Sequence, residues 1–398
     1  QSLLYGMCYL MEERSAESLD IEKEVELMKN LGVRTVRQWM HFTHFMSSPA
    51  TLKENNAATE NMHALLAECE KAGMVNIGMN HHNFCTTKSK SSTTAKPFAR
   101  DVSEGSDYVQ WLNDYYTSWK TLVGEFPEVL YWEIDNEVNN PDFMTDGGEK
   151  GSSAYSVRQM AEIATDMFYY ATRAIHDANP EAQSVMGGLT EPLGLGNSNL
   201  ENSRPSNAWF LQAIYDNIFS GEFGYFYSSE TSDTASLDPD DYFDILSWHP
   251  YVWNKEALDE DFFVEENNKT YQVALDNEGK HKKVFITEVG FSDFSRGEKV
   301  VAESTKRMYH AISTRMPYVE TLNVFKMYDS AAPSFDGSAA DNGYSRYGFF
   351  YDPDPARVYY KLDGENPVTV TDELCVPGAP KPLAYVFQKM AGGKGSLE

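Results

Sequence analysis

Nothing in this sequence is apolar for the about 18–20 residues that a membrane helix needs, so a soluble chain is expected. Cysteine is scarce. Cys8, Cys69, Cys85 and Cys375 show neither CxxC nor zinc-finger spacing and read as buried free thiols, which leaves the compartment open. Basic charge is scarce too: 33 Lys and Arg stand against 60 Asp and Glu, a formal net charge of −27. Such a surface repels phosphate backbones and anionic lipid, so neither nucleic acid nor membrane is an expected partner. A neutral ligand would be unaffected. No Gly-rich phosphate loop follows the first strand-like run, "LLYGMCYL" (3–10). Its absence argues against a doubly wound dinucleotide-binding sheet, and no cofactor is expected.

What is present is alternation. In 398 residues, 41% of them hydrophobic and 13% aromatic, short apolar runs alternate with amphipathic stretches. Strands are predicted at 3–10, 33–39, 74–80, 128–135, 183–189, 242–251, 282–291 and 320–329. Helices are predicted at 20–32, 60–73, 106–126, 153–178, about 206–219, within 256–277, at 299–315 and at 382–390. Gly32 stops the first helix, and Ser106 or Asp107 caps the third. Eight successive βα units imply one (β/α)8 barrel over residues 1–391, with 330–380 inserted over its mouth between strand eight and the last helix. The final "SLE" (396–398) reads as an appended tail and is set aside, and a start at Gln1 is what removal of a leader leaves.

In such a barrel, reacting groups gather at the carboxyl ends of the strands. Strand two ends with Arg37 and Trp39, and strand three with Asn80, His81 and His82. Strand four ends with "WEIDNE" (132–137), strand six with Trp248, His249 and Tyr251, and strand seven with Glu288. Strand eight carries Lys326 and Tyr328. Glu137 and Glu288 stand on strands that face each other across a barrel. Glycoside cleavage needs such a pair: one nucleophile, and one group that protonates the leaving oxygen and then activates water. Within strand four, Trp132 alternates with Glu133, so one faces the barrel and the other the helices. Trp132 is expected to pack, and Glu133 and Asp135 to serve as structural hydrogen-bond acceptors.

These strand ends resemble those of clan A retaining glycoside hydrolases, families 5 and 39 among them. The resemblance spans essentially the whole chain, but its specific part is the strand ends. In that group the acid/base follows an Asn, as in "DNE" (135–137), and the nucleophile lies in a motif similar to "FITEVGF" (285–291). The family 5 pattern also has an Arg on strand two, a His after strand three and a His-x-Tyr after strand six. "VRQW", "NHHN" and "WHPY" supply Arg37, His81 or His82, and His249 with Tyr251. Two positions depart from it: "NEV" replaces "NEP", and "VFKMYD" puts Lys326 or Tyr328 where a stacking Trp is usual. The resemblance implies cleavage of β-linked sugars through a covalent intermediate. Glu288 is then the ionised nucleophile, aimed by Arg37 and Tyr251, and Glu137 the acid/base, resting protonated and tuned by His249. Asn136 donates to the sugar 2-hydroxyl. His81, His82, Trp39, Trp248, Lys326 and Tyr328 are candidate sugar contacts.

Two other classes stay open on the sequence. A metal-dependent barrel hydrolase or isomerase could recruit His41, His44, His81 and His82. The His-x-His that such barrels carry on strand one is missing, and no metal is expected. An inactive sugar-binding barrel is the third class. The intact Asn136–Glu137 pair and Glu288 argue against it.

Overall fold

A computed structural model describes residues 2–80, 99–144, 155–227, 234–330, 344–363 and 369–398. Eight parallel strands close into a barrel: β1 (Tyr5–Tyr9), β2 (Thr35–Trp39), β3 (Val75–Asn80), β4 (Tyr131–Asn136), β5 (Gln183–Thr190), β6 (Leu246–His249), β7 (Val284–Val289) and β8 (Val319–Val324). Closure is the pairing of β1 with β8, Tyr5 opposite Leu322. The helices that follow the strands are α1 (Ile21–Leu31), α2 (Ala57–Lys71), α3 (Asp107–Glu125), α4 (Val157–Ala178), α5 (Asn207–Ser220), α6 (Glu260–Glu278), α7 (Glu298–Arg315) and α8 (Pro382–Ala391). The architecture is the (β/α)8 barrel that the alternation implied.

Local chemistry fixes the helix ends. Asp20 accepts from the Lys23 amide to start α1, and Gly32, at φ 92°, ends it in the left-handed conformation that glycine adopts without a Cβ clash. Ser106, not Asp107, caps α3. Ser156 and Gln159 form a reciprocal capping box on α4. The sixth and eighth strands are shorter than their apolar runs suggested, although Ile245 still bridges Val185 and the Phe325 amide still donates to the Val289 carbonyl. The tail set aside on sequence grounds is packed: Leu397 is buried, and Asn30 of α1 donates to the Ser396 carbonyl.

The barrel interior is stratified. Ile77, Val185, Ile245 and Phe285, with Tyr131, make an apolar layer near the amino ends of the strands. Side chains on one strand face recur every second residue. Two residues on, the same inward faces carry Glu133, Ser247 and Thr287, and these are hydrogen-bonded to one another or to Arg37. Apolar floor gives way to ionised ceiling within one strand repeat. Beyond β8, the segment inserted before α8 is tied down by a buried cluster, in which Lys381 donates to Asp293 and Asp329, each at 2.7 Å.

Candidate active site

Arg37 is the centre of the polar layer. Its guanidinium makes a two-pronged pair with Glu133, through Nε and Nη2 at 2.9 Å each. Nη1 donates to Glu288 Oε2 at 2.8 Å, and Nη2 also donates to Asn136 Oδ1 at 2.9 Å. One cation from β2 thereby fixes groups from β4 and β7 with the planar fork that carboxylates match. Arg37 is fully buried, yet the charges of Glu133 and Glu288 outweigh the burial and hold it protonated well above its ordinary range. Burial alone would raise the Glu133 carboxyl. Arg37 and His249 instead hold it down to about 2.

The second oxygen of Glu288 accepts from the Tyr251 hydroxyl at 2.6 Å. Burial and the facing Glu288 charge push the Tyr251 phenol up, so it stays a donor. Glu137 is held from the opposite side: His249 Nδ1 lies 2.8 Å from Oε2, and Asn140 Nδ2 donates to Oε1 at 3.2 Å. The His249 ring is fully buried, which disfavours its charge, but Glu288, Glu133 and Glu137 push it up to about 9. A carboxylate oxygen from each of Glu137 and Glu288 and a His249 nitrogen all lie within 4.8 Å of one another.

The backbone at the end of β4 is strained. Asp135 has φ 70° and Glu137 φ 50°. A non-glycine residue in this region costs about 1–2 kcal/mol, and such residues cluster at functional sites. Asp135 Oδ1 accepts from the Asn136 amide at 2.8 Å, the local bond that lets a short acid adopt the conformation. Next door on β5, Gly188 is there for lack of room: a Cβ would lie 2.0 Å from His249 Nε2.

The structure thus brings together Arg37, Asn136, Glu137, His249, Tyr251 and Glu288. Trp39 sits at the mouth end of β2, partly buried, its ring 5.7 Å from that of His41. His81 and His82 lie outside the described residues. Trp248 must be corrected. It is fully buried on the outer face of β6 and donates to Asn267 of α6 at 2.8 Å, because Ser247 and His249 take the inward positions on either side. It is core, as is Trp132, which donates to the Val129 carbonyl. Lys326 and Tyr328 also leave the expected role. Lys326 is buried, its ammonium on Glu13 at 2.8 Å and Ser330 at 2.6 Å under the Tyr344 ring. Tyr328 turns to a cleft shared with Arg14, Glu24 and Pro353, with the Arg14 guanidinium 4.8 Å above its ring. His44 and, more distantly, His41 face Glu12, at 3.2 and 3.9 Å.

Sequence reasoning missed Asn140 and Thr287, and it gave Glu133 too small a part. Thr287 precedes Glu288 and faces inward, where it bridges His249 and Glu133. The strand period could have found it, since Glu133 and Thr287 occupy equivalent inward positions on their strands. Asn140 falls beyond β4, and no periodicity points at it. Tyr347, from the segment inserted before α8, meets the Tyr251 ring edge-on at 6.3 Å and walls the Glu288 side.

A family model described as "Cellulase (glycosyl hydrolase family 5)" matches residues 11–323, from just after β1 into β8. The chain belongs to glycosyl hydrolase family 5. Structural neighbours in this and other glycoside hydrolase families share its fold. A family 39 glycoside hydrolase from Bacteroides cellulosilyticus superposes with a TM-score of 0.60 at 14% identity, over 98% of this chain and 64% of that one. The family 5 chain thus spans just under two thirds of that enzyme's length. A GH5_18 enzyme from Bifidobacterium longum subsp. longum, solved with Manβ1-4GlcNAc, gives 0.58 at 10% identity over 98% and 78% of the two chains. A family 1 β-glucosidase from Thermotoga maritima gives 0.58 at 13% over 99% and 98%. At these identities the likeness is one of fold. No curated protein sequence matches the chain.

Proposed function

We propose that the protein is a retaining glycoside hydrolase that cleaves β-glycosidic bonds of an oligo- or polysaccharide by double displacement. The observation that carries this reading is the spacing of Glu137 and Glu288, with carboxylate oxygens within 4.8 Å. Retaining enzymes keep their two carboxyl groups about 5–5.5 Å apart, whereas inverting ones leave about 6.5–9.5 Å for a water. Glu288, ionised and aimed by Arg37 and Tyr251, attacks the anomeric carbon. Glu137 protonates the leaving oxygen, then takes a proton from the water that releases the glycosyl group. Asn136 has its oxygen tied to Arg37, so its amide nitrogen is the end that donates to the sugar 2-hydroxyl. The β-linkage is supported by the β-glucosidase and the Manβ1-4GlcNAc complex among the structural neighbours.

The test is sugar release from a panel of β-linked glycans and aryl β-glycosides, with Glu288→Gln as the blank. Wild type alone should release sugar, with retention of anomeric configuration. Glu137→Gln should keep most of its kcat/KM on substrates with good leaving groups and lose about 100-fold or more of it on poor ones, because only the latter need the acid in the first step. Inverted product, or an equal loss of kcat/KM on every leaving group, would refute the assignment of roles.

A further inference from the structure

His249 touches Glu137 through Nδ1 and Thr287 through Nε2, both at 2.8 Å. What Thr287 does with its one hydroxyl proton decides which tautomer His249 holds. Thr287 Oγ1 lies 3.1 Å from Glu133 Oε1, as a donor to it, and 2.8 Å from Ser247 Oγ. Glu133 is ionised and can only accept. A Thr287 proton turned toward His249 would leave two oxygen lone pairs facing each other at 3.1 Å in a dry interior. Thr287 therefore offers His249 a lone pair, and Nε2 carries a hydrogen.

We infer that Thr287 and Glu133 are positioning residues for the acid/base: they fix His249 in its Nε2–H form, so that one proton lies on the bond between Nδ1 and Glu137. This rests on the reading of Glu137 given above. Losing that proton would put the Nδ1 lone pair against a carboxylate at 2.8 Å, so the pair keeps it at neutral pH. In the first step the proton passes from Glu137 to the glycosidic oxygen as the C1–O bond breaks and the Glu288–C1 bond forms. The bare Nδ1 now faces the Glu137 carboxylate and favours its reprotonation. In the second step water attacks C1, its proton goes to Glu137, and the Glu288–C1 bond breaks. The groups around the ring are consistent with a retained proton. Glu133 and Glu137 of the β4 end and Glu288 face it, Arg37 pairs with Glu133 and Glu288, and Nδ1 is 3.9 Å from Glu288 Oε2. Tyr251 holds Glu288. Cys8 of β1 donates to the Thr287 carbonyl, and its thiol is pushed up by burial, so it adds no charge.

The test uses Thr287→Val, which keeps the shape but lacks the hydroxyl, and Thr287→Ser, which restores it. Imidazole 15N spectra, with His249 assigned by its loss in His249→Gln, read the tautomer without any substrate. In wild type and the serine variant, the neutral His249 formed at alkaline pH should be protonated at Nε2. In the valine variant it should be protonated at Nδ1, donating to the Glu137 carboxylate, and the proton should leave at least about one pH unit lower. In parallel, kcat/KM on poor leaving groups should fall about 10- to 100-fold in the valine variant, with its alkaline limb shifted the same way, while activated aryl glycosides are spared and serine rescues. Unchanged folding is checked by the melting temperature. An unchanged tautomer and alkaline limb in Thr287→Val would overturn the inference even if the wild type is a glycosidase. The expected tautomer switch in a protein that releases no sugar would uphold it and refute the proposed function instead.

Discussion

Replacing Glu133 by Gln probes the ion pair beneath the site. The carboxylate is fully buried and accepts from Arg37 twice, from the Gly188 amide at 3.2 Å and from Thr287. A glutamine would remove the charge and turn an NH2 group toward donors, leaving Arg37 with Glu288 as its remaining anion. Breaking one side of a buried pair costs about 3–5 kcal/mol. Linkage gives an independent figure. The folded carboxyl is held down to about 2, from an ordinary 4.5, a depression worth about 3 kcal/mol. A depressed acid stabilises the fold above its unfolded pKa and loses that contribution as pH falls through its folded value. The window is therefore about pH 4.5 down to 2. With an unfolding entropy of about 2.1 cal/mol/K per residue, 398 residues give about 0.8 kcal/mol/K, and a 4 kcal/mol loss lowers Tm by about 5 °C. Calorimetry from pH 7 down to 3 should show the variant about 4–6 °C below wild type at neutral pH, with the gap narrowing below about pH 4.5. A gap under about 1 °C at pH 7, or two curves that stay parallel into acid, would refute the reasoning.

Two further substitutions separate site from scaffold. Gly188→Ala places a Cβ 2.0 Å from His249 Nε2, so it should displace the ring and cut kcat/KM on poor leaving groups by about 100-fold; near wild-type rates would mean the ring is not held where it is described. Trp248→Ala should cost about 3–5 kcal/mol in urea unfolding and leave KM unchanged, since the ring is buried under α6; a raised KM at intact stability would return it to the sugar site.

The barrel was legible because period-2 strands and period-3.6 helices leave their mark on any sequence whose layers bury one face. The strand-end residues were legible by position, not by alternation: Arg37 keeps the inward period of its strand, whereas Glu288 enters the site at a register shift in β7 and Glu137 one residue past β4. What failed was side-chain direction. Trp248 looked like a sugar platform because it adjoins His249, yet adjacency on a strand means opposite faces. The same rule, applied to Glu133 and Trp132, gave the right result. Lys326 and Tyr328 follow the end of β8, where the chain leaves the ladder and alternation carries no information. Asn140 depends on the turn after Glu137, whose left-handed φ no propensity assigns to a glutamate.

The charges of the site add up to a purpose once the proton on the His249–Glu137 bond is counted. Arg37 and Glu133 cancel as a two-pronged pair. His249 and Glu137 with one shared proton are neutral in sum, whichever of them holds it. On the proposed mechanism Glu288 is then the one net negative charge, held by a cation at 2.8 Å and a phenol at 2.6 Å. Glycoside cleavage passes through an oxocarbenium-like transition state, whose positive charge develops on the sugar next to the nucleophile. A site with one unit of fixed negative charge complements that transition state more than it does the neutral substrate, and this difference is what accelerates a reaction. The buried Arg37–Glu133 pair adds no net charge. It holds Glu288 in place without cancelling its charge, as a lone arginine beside the nucleophile would.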